Sequence, residues 1–472
     1  MEYPVKKGEI RTLEVEDLAF GGRGVARVEG YTVFVDRGLP GQTVEARIYR
    51  RKRTYAEARV EAVVAPSARQ VEPRCAHFGV CGGCQLQHLD YPAQAEAKGR
   101  QVEAILRRIG GLEVDVEPIL AARESYEYRN KMEYSFGEAR WLEPHELDGP
   151  GGLDRFALGL HVPGRHDRIL NISRCHLQSD AGSAVVRTVR ELAAAGGLPA
   201  YSTRTHRGFW RFLVVREGAN TGERMVHLIT AGAAPGSREW NAVETVAAAL
   251  RARDFGITSL LHGMTDAKAS VAVAERVRTL FGEPVIRETL LGFTFTVGPG
   301  TFFQTNTAQA ERLFRAVLER GRFEPGQRVW DLYCGVGAIT LPVARLVGSV
   351  HGVEAVPEAV EAARGNAAAN GVGNATFATG DLKDGLPEGD RPDAVVLDPP
   401  RTGVHPKALA RLADLAPPRI VYVSCNPTTL ARDLGVLAGS GYAVESVLPV
   451  DMFPHTGHVE CVAALSRARM SA

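Results

Sequence analysis

The 472-residue chain is short of three things: it has seven cysteines, a net charge of only +1 at pH 7, and no apolar run long enough to cross a bilayer. Each scarcity removes a class of function. Seven thiols spread over this length do not make a disulfide framework, so in a reducing compartment they serve as metal ligands, nucleophiles or core filler. A near-neutral chain is not a bulk polyanion binder, and any nucleic-acid surface must be local. Short apolar runs give no membrane span. The start, "MEYPVKKGEI", has no apolar stretch ahead of a small-residue cleavage site, so a cytoplasmic location is expected. There is no internal repeat, no low-complexity tract and no sign of an obligate protein partner. What remains is the composition of a globular protein, 45% hydrophobic and 24% charged, in a chain long enough for two to four domains.

Residues 1–66 alternate short β-type runs with glycine turns, which predicts a small, OB-like β-barrel. Within it "RIYRRKRTY" sets Arg47, Arg50, Arg51, Lys52 and Arg53 beside Tyr49 and Tyr55, a mixture that suits phosphates and bases and equally suits a solvated hairpin. Residues 67–300 mix strands and helices, an α+β pattern, with a loop expected at "LEPHELDGPGGL". A helix is expected over 93–110, after Pro92 and stopping at Gly110, packed on the last domain. From 301 to 472 helical and apolar strand patterns alternate as in a doubly wound α/β sheet.

In that last part, "QRVWDLYCGVGAITLPVARLV" reads as strand, glycine turn and helix, and "GSVHGVEAV" as the next strand, ending at Glu354. Only Gly335 and Gly337 occupy the turn, and Asp331 stands where the first strand ends, so a diphosphate would be poorly held. S-adenosylmethionine has no phosphate; its cationic sulfonium suits nearby carboxylates, and Glu354 is placed to take the ribose hydroxyls. Asp381 in "ATGDLKD" and Asp398 in "PDAVVLDPPRTG" each follow an expected strand, where ligands of open α/β sheets sit. A related DPP-aromatic loop marks methylation of exocyclic amino groups, but here the fourth residue is Arg401.

"IVYVSCNPTT" carries Cys425 to the carboxyl end of a further strand. A buried cysteine there is packing; a thiol beside "NPTT" is exposed enough to attack. Beside a methyl donor, a thiolate adding to C6 of uracil turns C5 into a carbon nucleophile, and a base must then remove the C5 proton. "YAVESVLPVDMFPHTGHVECVAALSR" reads as two strands around a loop, with Glu460 opening the second. If that strand is antiparallel to the rest, Glu460 reaches the same edge as Cys425. His455 and His458 are weaker candidates, more suited to shaping the loop, and Cys334 and Cys461 read as packing. Cys75, Cys81 and Cys84 in "CAHFGVCGGCQLQ", with Cys175 in "NISRCHLQ", form a metal-ligand set; Gly82 and Gly83 let the backbone wrap closely. Spacing leaves an iron–sulfur cluster and a four-cysteine zinc site both open.

Taken with "YRNKMEYSF", "GTFFQTN", "DLYCGVG", "LDPPR", "SCNP" and "HVE", these stretches resemble the RNA uracil-C5 methyltransferase family along nearly the whole chain, in particular its members with an iron–sulfur cluster and an N-terminal TRAM domain. The resemblance implies a class I methyltransferase domain with Cys425 as nucleophile and Glu460 as proton acceptor. It further implies Gln304, Tyr333, Glu354 and Asp398 at the S-adenosylmethionine site, alongside Asp381 from the strand pattern. It also implies a 4Fe–4S cluster on Cys75, Cys81, Cys84 and Cys175, and Arg129, Asn130 and Lys131 near RNA. Ribosomal RNA, as in the 23S enzymes, is the expected substrate, with transfer RNA as the alternative. Where some relatives have an asparagine touching the cofactor this chain has Ala338, and that contact is not carried over. An amino-group methyltransferase and a non-catalytic RNA-binding protein are the rival readings.

Overall fold

A computed structural model describes residues 3–143, 146, 155–387 and 391–467; the loop expected at 142–153 lies almost wholly outside the described residues. Strands Ile10–Leu18, Gly24–Val28, Tyr31–Asp36, Thr43–Arg51 and Tyr55–Ala65 close into a barrel. Period-two alternation builds it: Leu13, Val15, Val33, Val35, Val44, Ala46 and Ile48 fill the interior while their neighbours face outward. The basic run at its fourth strand is partly neutralised. Arg47 meets Glu61 at 2.9 Å, Arg50 meets Glu57 at 3.4 Å, and Arg51 lies 4.3 Å above the Tyr3 ring. Lys52 and Arg53 stand exposed at the turn.

The middle of the chain forms an eight-stranded sheet in the order Arg276–Gly282, Ser259–Met264, Arg224–Thr230, Trp210–Glu217, Lys131–Gly137, Ala157–Val162, Arg165–Asn171, Arg140–Trp141. The helices Asp180–Ala195 and Arg238–Arg251 share one apolar core with it, through Val185, Val189, Val246 and Leu250 against Trp210 and Leu213. The helix Tyr91–Gly110 starts at Tyr91 rather than after Pro92, because the Asp90 side chain accepts from the Ala93 N–H at 2.8 Å and proline is tolerated in a first turn. Its Val102 and Leu106 pack under the C-terminal sheet.

That sheet runs Ala375–Thr379, Ser349–Glu354, Arg328–Leu332, Ala394–Leu397, Arg419–Ser424, Glu460–Arg467, Tyr442–Val450. The first five are parallel, and Glu460–Arg467 is antiparallel to both its neighbours. The central strands Ala394–Leu397 and Arg419–Ser424 are buried almost throughout rather than alternating, as expected where both faces of a sheet are covered. The hairpin of Ile286–Leu290 with Phe293–Val297 precedes residue 301, yet its Ile286, Leu290, Phe293 and Phe295 enter the same core as Val329 and Val396. Among the described residues no helix is long and apolar enough to cross a membrane.

Candidate active site

Parallel strands deliver their carboxyl ends to one edge of the sheet. The buried strand Arg419–Ser424 ends one residue before Cys425, where Asn426 turns the chain: its side chain accepts from the Thr428 N–H at 3.1 Å, and Pro427 opens the helix Pro427–Gly439. On the neighbouring antiparallel strand Cys461 is paired with Ser424, so Glu460 comes opposite Cys425. Both line a cavity of about 1600 Å³ whose walls also include Gln304, Tyr333, Glu354, Asp381 and Asp398. All seven residues named from the sequence for catalysis or cofactor binding thus meet in one place.

The cavity is acidic and poorly solvated. Burial, then the Glu460 and Asp398 charges, push the Cys425 thiol up to about 11. Burial and Asp398 push Glu460 up to about 8, and burial and Asp331 push Asp398 up to about 7. A positively charged ligand would lower all three together, so the site is electrostatically matched to a cation.

The cofactor side is built from backbone as much as from side chains. Tyr333, Gly335 and Gly337 all take positive φ, 69°, 54° and 84°. A Cβ on Gly335 would meet nothing within 4 Å, so this turn faces open space, whereas one on Gly337 would lie 2.9 Å from Leu341 Cδ1. Glu354 is fixed in the turn by the N–H groups of Gly335 (3.2 Å) and Val356 (3.0 Å). Asp381 stands at the rim, 41% exposed, as half of an ion pair with Lys383 Nζ at 2.7 Å. Asp331 also lines the cavity; it is buried, and one of its oxygens accepts from Thr340 Oγ1 at 2.5 Å, which braces the turn. Ala338 also lines the cavity.

The lesser candidates divide. His458 lines the cavity, while His455 is buried with its ring centroid 4.3 Å from that of Tyr126, and burial pushes its imidazole down to about 4. Cys334 and Cys461 are buried. Asn130 plays a structural part, because its Nδ2 donates to Gln304 O at 3.0 Å and to Thr307 Oγ1 at 2.8 Å and so holds the segment that carries Gln304. Sequence reasoning passed over Phe302, which lines the cavity with its residue 72% exposed, a free aromatic face of the kind on which bases stack. Two consecutive phenylalanines with no apolar periodicity around them were the available signal.

Cys75, Cys81, Cys84 and Cys175, all half-buried, line a second pocket of about 400 Å³. The Gly83 N–H points at Cys81 Sγ (3.4 Å) and Gln87 Nε2 at Cys84 Sγ (3.2 Å). Among the described residues no group of three or more histidine, cysteine, aspartate or glutamate side chains is placed to hold a single metal ion. The expected iron–sulfur cluster therefore has its four sulfurs gathered, but no assembled metal site. Gly83, Arg129 and Thr305 belong to the walls of both pockets.

Three stretches of the chain match known families. Residues 4–60 match the TRAM domain, 323–428 a methyltransferase domain, and 390–468 the tRNA (uracil-5-)-methyltransferase family. An uncharacterized RNA methyltransferase of Nitratidesulfovibrio vulgaris is 41% identical over 96% of this chain and 95% of its own length, and one of Halalkalibacterium halodurans is 38% identical over 98% of each. The crystal structure of the Pyrococcus abyssi tRNA (uracil-54, C5)-methyltransferase in complex with S-adenosyl-L-homocysteine superposes with a TM-score of 0.73 at 29% identity, covering 96% of this chain and 99% of that one. The chain belongs to the TRAM-containing RNA uracil-C5 methyltransferases, which take their methyl group from S-adenosylmethionine.

Proposed function

We propose that this enzyme forms 5-methyluridine in 23S ribosomal RNA through a covalent adduct between Cys425 and uracil C6. The observation that supports the reading is the pairing of Ser424 with Cys461, one residue before Cys425 and one after Glu460, with both Cys425 and Glu460 in the wall of one cavity. C5 of uracil is a poor nucleophile until sulfur adds at C6. Cys425 forms that S–C6 bond, Glu460 accepts the C5 proton once the methyl group is in place, and elimination returns the electron pair to sulfur. S-adenosylmethionine supplies an electrophilic methyl group. Glu354 would hold its ribose, with Gln304, Tyr333, Asp381 and Asp398 as the remaining contacts. Both faces of the ring must be reached, so the uridine is flipped out of its stack, with Phe302 at the cavity available for stacking and the barrel gripping flanking RNA.

The ribosomal assignment is supported by the resemblance of the cysteine set to that of 23S enzymes. A transfer-RNA substrate is the second reading, favoured by the likeness to an enzyme named for tRNA uracil 54. Nucleoside analysis of separated RNAs from cells lacking the protein decides between them: 5-methyluridine should fall in 23S ribosomal RNA and be unchanged in transfer RNA. The reverse pattern supports the second reading, and no change in either overturns both.

We assign a 4Fe–4S cluster to Cys75, Cys81, Cys84 and Cys175. The support is a pocket with room for several atoms, four sulfurs in its wall and N–H donors aimed at two of them. Protein purified without oxygen should be brown and carry about four irons per chain; colourless protein with one zinc would contradict the assignment.

A further inference from the structure

Glu460 is delivered by the loop from Asp451 to Val459, and much of what holds that loop comes from elsewhere in the chain. His455 O accepts from the N–H groups of Gln85 (2.9 Å) and Leu86 (3.0 Å). Gln85 Oε1 accepts from the Gly457 N–H at 3.2 Å, while Gln85 Nε2 donates to Gly82 O at 3.1 Å, inside the turn between Cys81 and Cys84. Gln94 Oε1 accepts from the His455 N–H at 2.9 Å, and Lys98, fully buried, reaches Asp451 at 2.6 Å. From the other side the barrel turn closes in: a Cβ on Gly457 would lie 2.4 Å from the Gly21 carbonyl carbon, and one on Gly22 would lie 3.2 Å from Gln85 Cβ. His455 itself has φ 65°, a conformation that a non-glycine keeps only when its surroundings enforce it.

We propose that Gln85 is a positioning residue for Glu460, tying the four-cysteine segment to the loop that presents the proton acceptor. The proposal rests on the reading of Cys425 and Glu460 given above. The two parts of the reaction then depend on different supports. Gln85 also lines the cavity, but Cys425 sits at the end of a strand where Asn426 turns the chain, so addition at C6 and methyl transfer to C5 do not depend on the two hydrogen bonds of the Gln85 side chain. Loss of the C5 proton to Glu460, followed by breakage of the C6–S bond, requires the loop to be in register. An error of about 1 Å at a reacting group can cost about 100-fold in rate.

Gln85→Met keeps the side-chain length and removes both of its hydrogen bonds. With RNA substrate and S-adenosylmethionine it should form 5-methyluridine about 100-fold more slowly, while the methylated RNA–protein adduct accumulates on a denaturing gel. Its melting temperature and its affinity for S-adenosylhomocysteine should match the wild type. Gln85→Glu keeps the acceptor for the Gly457 N–H and should restore turnover. Wild-type turnover in Gln85→Met, or a loss of rate with no adduct, overturns the proposal. A wild-type protein that gives no covalent adduct with 5-fluorouridine RNA overturns the underlying reading first.

Discussion

Cys425→Ala is expected to abolish 5-methyluridine formation, with a loss on the order of 10⁴- to 10⁶-fold, because removing a covalent nucleophile removes the pathway rather than slowing it. Binding of S-adenosylhomocysteine and of RNA should persist, since the side chain is small, half-buried and has no role in the turn around Glu354. The variant also separates the rival chemistries. Methylation of an exocyclic amino group needs no thiol, so a base amino-group methyltransferase would keep its activity in Cys425→Ala. A protein that only binds RNA would show no methylation in either form. The measurement is single-turnover methyl incorporation followed by nucleoside mass analysis; undiminished 5-methyluridine in the variant contradicts the mechanism.

Glu460→Gln should stop the reaction at a later point. The general-base contribution is typically about 10²- to 10⁴-fold, so product should fall by that factor, while addition and methyl transfer proceed and the methylated adduct builds up. The pH dependence follows from the same group. Glu460 accepts a proton only when ionised, and burial with the neighbouring Asp398 charge has pushed it up to about 8. Below its apparent value the ionised fraction falls about tenfold per pH unit, so breakdown of the preformed methylated adduct, which no longer depends on ionising Cys425, should speed up with pH from 6 and level off at about 8. Glu460→Gln should lose this slope; a variant that turns over at the wild-type rate, or shows no adduct, would remove Glu460 from the acceptor role.

The gathering of the candidate site residues at one sheet edge was legible because strand ends are legible. Apolar runs stopping at Asp398 and Cys425, and a final strand opening on Glu460, are one-dimensional signals, and antiparallel pairing converts them into proximity. The barrel was legible for the same reason, since its inward residues alternate along every strand. What escaped depends on partners distant in sequence. Asp331 stands at a strand end and lines the cavity, and only the fold shows that Thr340 takes one of its oxygens. Asp381 carries no mark that Lys383 pairs with it. Asn130 sits in a motif that suggested RNA contact, and only the fold shows that it also braces the Gln304 segment, 174 residues away. The bond from Gly457 to Gln85 joins residues 372 apart in the chain, and no local pattern announces it. The cysteines show the opposite limit: their grouping was evident from sequence, but the arrangement of sulfurs around an ion is not fixed by spacing.

The most direct test of the account is to trap the addition step. Incubating the protein with RNA containing 5-fluorouridine and S-adenosylmethionine should give a stable covalent complex, because fluorine at C5 cannot leave as a proton. After digestion, mass analysis should find a methylated, fluorinated pyrimidine attached to the peptide that contains Cys425. A methylated product with no covalent complex, or a complex attached through any residue other than Cys425, would contradict it.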